Sequence, residues 1–180
     1  MQMIDIPAGL LGYRGVWGQA WTLPQYPAVA DWGGGYVSTH ASDAVGYITA
    51  PNGHETGSGD LFRVTIAAVM RAVMVPHGVD PNAAAIRAFV EAHGHLLNAG
   101  VHLIDALSGA HLAYVGPSAE AAYEVVLAAP FLAAMTQHEL VATVTVNRGT
   151  PDYNHIRLAN GRLVTRAQID EILPPAAFVL

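Results

Sequence analysis

Two histidines on one stripe offer the first chemistry this chain could perform. Arg87, Glu91, His95, Asn98, His102 and Asp105 recur at spacings of four, four, three, four and three. On a helix that spacing gathers them on one face. There Glu91 or Asp105 could orient an imidazole for acid–base work. Two imidazoles a heptad apart lie about 10 Å apart along a helix axis, too far for one metal ion. The i, i+4 histidine pair of HExxH is absent as well, so no metal site is expected here. A solvated or interface face using histidine and asparagine in place of lysine is the preferred reading, since nothing in the sequence sets a cleft beside the stripe.

Three other stretches carry reactive residue types. Thr39-His40-Ala41-Ser42-Asp43 contains serine, histidine and aspartate, but a triad needs those groups to converge from separate segments, and no GxSxG elbow supports one. The glycine-rich loop GHETGSGD, residues 53–60, could bring backbone N–H groups to a phosphate. Asp60 would repel such an anion, and His54 with Glu55 falls short of a metal site. Arg148, Arg157, Arg162 and Arg166 place half of the eight cations within nineteen residues. That cluster could meet nucleic acid or an acidic neighbour, although no aromatic is interleaved for base stacking.

The remaining composition excludes much. There is no cysteine and no lysine, which removes thiol nucleophiles, disulfides, thiolate metal sites, lysine Schiff bases and the Walker-loop lysine. A formal net charge of −6 argues against broad nucleic-acid binding. Hydrophobic residues make up 52% of the chain and charged ones 12%, against roughly 25% charged in average soluble domains. The apolar runs at 61–76 and 119–135 are interrupted by Arg63 and Arg71, and by Glu120, Glu124 and Pro130. Neither supplies the roughly 20 apolar residues of a spanning helix. The amino terminus lacks a signal-peptide pattern. The chain is therefore expected to be cytoplasmic or part of a virion and not secreted, with its apolar surplus held in subunit interfaces.

The elements that would position these groups read as α+β. One domain spans 1–180. Residues 1–60, rich in glycine and aromatics, form an N-terminal arm or a small β layer with extended pieces at 15–23 and 36–49. Residues 61–180 form a helical core with a C-terminal hairpin. Helices are expected at 61–75, at 80–107 (Asp80 as N-cap, Pro81 in the first turn) and at 119–129 continuing toward His138. The helix over 80–107 is the centre of that core. A short strand is expected at 110–115 and a stronger one at 140–147, where LVATVTVN alternates. Asn160-Gly161 turns a hairpin with Ile156, Leu158 and Leu163 on one face and Arg157, Arg162 and Val164 on the other. Thr165 and Gln168 form a capping box for a helix at 166–173.

Together these features suggest a structural subunit of a homo-oligomeric assembly, above all a capsid or virion-type shell protein, with no cofactor. Trp17, Trp21, Trp32 and Phe178 would anchor neighbours, and Arg148, Arg157, Arg162 and Arg166 would face cargo nucleic acid or an acidic edge. The alternatives are a small histidine/carboxylate enzyme using His95, His102, Glu91 and Asp105, with His40 or His54 joining from the loops, and an accessory subunit of a larger hetero-complex.

Overall fold

The computed structural model describes residues 1–18, 21, 34–49, 56–75, 84–96, 103–106, 123–128, 135–147 and 154–176. Its strands are β1 (Gln2–Ile6), β2 (Gly9–Trp17), β3 (Gly34–Ser38), β4 (Thr56–Ile66), β5 (Met70–Val75), β6 (Leu103–Ala106), β7 (Tyr123–Ala128), β8 (Thr136–Asn147), β9 (Asn154–Leu158) and β10 (Leu163–Val164). Among the described residues three short helices accompany them: α1 (Ala41–Thr49), α2 (Ala84–His93, with a 3-10 turn over Gly94–Leu96) and α3 (Ile169–Ile172). The strands pair in the order β1-β5-β6-β7-β3-β2-β4-β8-β9-β10. The run β7-β3-β2-β4-β8-β9 is antiparallel throughout. The β1/β5 pair is a second antiparallel unit, and β6 joins it through a parallel pairing with β5.

The fold is mostly β, which overturns the helix-rich α+β expectation. The expected helix at 61–75 is the end of β4, a turn and β5. Phe62, Val64 and Ile66 are buried while Arg63 and Thr65 between them are half-exposed, a two-residue alternation that the longer apolar run through residue 75 masked. Among the described residues of the expected helix at 80–107, Ala84–Leu96 forms α2 and its 3-10 turn, and Leu103–Ala106 is β6. The expected helix at 119–129 overlaps β7, and β8 already begins at Thr136. Asp80, Pro81 and the expected strand at 110–115 lie outside the described residues. Residues 1–60 contribute β1, β2, β3, α1 and the start of β4; the expected strand at 36–49 divides into the end of β3 and this helix.

Helix α1 buries Ala41, Ala44, Val45 and Ile48, the i, i+3, i+4, i+7 stripe of an amphipathic helix. They pack with Tyr13, Leu61, Ala142, Val144, Ile156 and Ile169. Its approach to the sheet is close because Gly15 of β2 and Gly59 of β4 lie beneath it; a Cβ at Gly15 would collide with the Ala44 carbonyl, and one at Gly59 with Ile48. The carboxy-terminal segment fastens this arrangement. Ser42 donates its hydroxyl to Asp170 and its N–H to the same carboxylate at 3.0 Å. Arg166 Nε donates to the Ser42 carbonyl at 2.8 Å, the Ala176 N–H to the Thr39 carbonyl at 2.9 Å, and the Tyr13 hydroxyl to the Pro174 carbonyl at 2.7 Å.

Burial pushes the Tyr13 phenol up to about 12, while the Arg63 charge pulls it down and Asp170 adds a smaller upward push. The folded state thus favours the protonated phenol. That contribution to stability is complete below the ordinary tyrosine value near 10 and disappears as pH rises through about 12. An ultraviolet tyrosinate titration should show one phenol lagging the ordinary range, with loss of structure accompanying its ionisation. In the Tyr13→Phe variant the late step should vanish.

The hairpin forms, but its faces differ from expectation. Leu158 and Arg162 share a backbone bond, Arg157 lies opposite Leu163, and Ile156 lies opposite Val164. The loop is therefore Ala159–Gly161, with Gly161 at φ 85°. One extra loop residue exchanges the partners, so Val164 is buried with Ile156 while Leu163 is exposed beside Arg157. Half of the capping box is present: the Thr165 N–H donates to Gln168 Oε1 at 3.1 Å. The helix beyond it is shorter than expected, Ile169–Ile172.

Candidate functional site

Paired strands β4 and β8 carry a square of polar side chains. Arg63 lies opposite Glu139 and Thr65 opposite Gln137. Residues two apart on a strand share a face, and directly opposed residues have Cβ atoms about 5 Å apart. All four therefore project from one patch of sheet. They line an open cleft of about 370 Å³ together with His138. Arg63 donates through Nη2 to Glu139 Oε2, and both side chains remain substantially exposed, 41% and 63%.

The residues between them underpin the patch from the other face. His138 stacks on Trp21, with ring centroids 4.1 Å apart and planes 6° from parallel. Phe62 meets Trp21 edge-on at 5.2 Å and His138 edge-on at 5.7 Å. The Arg14 guanidinium lies 5.4 Å above the Trp21 ring, a cation–π distance. Arg14 is itself buried and donates from Nη1 to the Tyr36 carbonyl at 3.3 Å. Aromatic packing thus holds two strands whose other face presents a guanidinium, a hydroxyl, an amide and a carboxylate. Such a set offers charge for an anion and both donors and acceptors for hydroxyl groups.

Among the described residues, the histidine stripe read from the sequence does not lie on a single helix. Glu91 lies on α2 and His95 in the 3-10 turn, both exposed. Asp105 belongs to β6, whose backbone pairs it with position 124 of β7, so it is not part of a helix. His102 lies outside the described residues. Among the described residues, no group of three or more histidines and carboxylates could hold a metal. His40, Ser42 and Asp43 are buried at the turn from β3 into α1. Because Ser42 spends its hydroxyl on Asp170, it is a structural tie and no exposed nucleophile. His54 and Glu55 lie outside the described residues.

Of the expected contact residues, Trp17 is exposed at the end of β2, and Trp21 is half-buried in the aromatic stack. Trp32, Phe178 and Arg148 lie outside the described residues. Arg157 and Arg162 are exposed on the hairpin, whereas Arg166 reaches back to the start of α1.

Sequence reasoning missed Arg63, Thr65, Gln137 and Glu139. The usable signal was alternation: reading the β8 pattern back from Leu140 to Thr136 would have put Gln137 and Glu139 on one face. No helix among the described residues is long and apolar enough to cross a membrane. Compared with known proteins, the chain matches no family model, and no curated protein resembles it in sequence.

Proposed function

We propose that the chain is a small enzyme acting on a nucleotide-class substrate at the β4/β8 cleft. The observation carrying this reading is the convergence of Arg63, Thr65, Gln137 and Glu139 on one face beside that cleft. A guanidinium suits a phosphate. Hydroxyl and amide groups suit the polar edges of a sugar and base. Glu139 supplies the reactive carboxylate, able to take a proton from an attacking group or to balance positive charge developing at a sugar carbon.

Titrating the ¹⁵N-labelled chain with ADP tests the assignment. Amide shifts should concentrate at 63–65 and 137–139. A spectrum unmoved at millimolar ADP would remove the nucleotide reading.

A second reading, a subunit of a homo-oligomeric shell or of a larger complex, is favoured by exposed apolar groups, Trp17, Tyr47 and Leu163 among them. In that arrangement Arg157 and Arg162 would meet nucleic acid or an acidic neighbour. Light scattering that returned the mass of one chain would exclude the homo-oligomer.

A further inference from the structure

We infer that Arg63 is the phosphate anchor of the cleft and that Glu139 is an internal stand-in for the phosphate, displaced when an anionic ligand arrives. This rests on the nucleotide reading and adds an order of events to it. The Arg63–Glu139 contact joins two exposed side chains from directly opposed positions on β4 and β8. An exposed ion pair of this kind contributes little to stability, so one anion readily replaces another on the guanidinium. A phosphate carries more charge than a carboxylate and accepts the two parallel N–H donors of arginine. Thr65 and Gln137, on the same face, can complete its shell with a hydroxyl and an amide.

The exchange has a chemical consequence. Until a ligand anion binds, Glu139 is occupied by Arg63. Once displaced, its carboxylate is free a few ångströms from the bound phosphate, where the sugar of the same ligand would lie. Anion binding thereby arms the carboxylate, and ligands lacking an anionic group leave it engaged.

Isothermal titration of the full chain with pyrophosphate, and separately with ADP, decides the matter. If Glu139 competes for Arg63, Glu139→Gln should bind pyrophosphate about fivefold more tightly than wild type, the equivalent of about 1 kcal/mol. Arg63→Gln should weaken binding at least tenfold. Glu171→Gln removes the same charge from an exposed site on α3 and should change affinity little, which separates competition from a general effect of net charge. Far-UV circular dichroism establishes that each variant is folded, and Glu139→Ala repeats the key measurement should the glutamine variant be unstable. Equal or weaker pyrophosphate binding by the Glu139 variants would overturn the displacement. So would equal gains in the Glu139 and Glu171 variants. ADP binding that is indifferent to Arg63→Gln would overturn the anchor while leaving the nucleotide reading intact, whereas no binding of either ligand to wild type would remove both.

Discussion

Gly15→Val is expected to destabilise the fold by about 3 kcal/mol or more. At this position in β2 a Cβ would lie inside the van der Waals shell of the Ala44 carbonyl oxygen and against Ile48. Ala44 and Ile48 belong to the buried stripe of α1, which cannot withdraw without opening the cluster shared with Tyr13, Leu61 and Val144. Overpacking a core typically costs 1–3 kcal/mol, and a clash with backbone in place of a movable side chain belongs at or above about 3 kcal/mol. Total stabilities of about 5–15 kcal/mol leave limited room for such a loss. Gly161→Ala provides the contrast. Its Cβ would meet nothing within 4 Å, but the backbone there has φ 85°. The expected cost is about 1 kcal/mol, arising from conformation alone. Urea unfolding of both variants checks the pair, and a wild-type midpoint for Gly15→Val would mean that α1 does not approach β2 as closely as described.

On the proposed nucleotide function, Glu139→Gln is expected to lower turnover by about 10²–10⁴-fold while leaving the fold intact. The side chain is exposed and its partner Arg63 is also solvated, so the structural cost should be small. The chemical cost is larger. An amide neither takes a proton nor balances positive charge, and removing a group with such a role typically lowers kcat by about 10²–10⁴-fold. Arg63→Gln should act differently, raising KM more than it lowers kcat, because a phosphate anchor contributes mainly to binding. Phosphorus NMR of nucleotide consumption, with wild type and both variants at matched concentration, measures the two effects. Unchanged turnover in Glu139→Gln would take Glu139 out of the chemistry.

Both positions were hidden in the sequence for the same physical reason. Arg63 sits in Phe62–Ile66, where buried apolar residues alternate with half-exposed polar ones, but the apolar residues that continue to Val75 drew the whole stretch into an expected helix. Glu139 precedes the stretch LVATVTVN, where alternation is clear, but Thr136–His138 was absorbed into an expected helix. The strand starts four residues earlier than the β-branched run because pairing with Arg63 to Ile66 of β4 extends it. The stripe from Arg87 to Asp105 failed in the opposite direction. Its helical spacing was real over Ala84–His93, yet pairing of Leu103–Ala106 with β5 and β7 outweighed the local pattern.

By itself the sequence determined what depends on residue chemistry and on local geometry. The absence of cysteine and lysine excludes whole classes of mechanism wherever the chain folds. Asn160-Gly161 specifies a turn because Gly161 can adopt a positive φ, and LVATVTVN specifies a strand because its branched side chains suit a half-buried pleat. Only the tertiary structure decided which strands are neighbours, and with them the site. Arg63 and Glu139 are separated by 76 positions and meet because β4 and β8 pair in one register. A shift of a single residue would send the four polar side chains to different faces, and that register is set by long-range packing that no local pattern encodes.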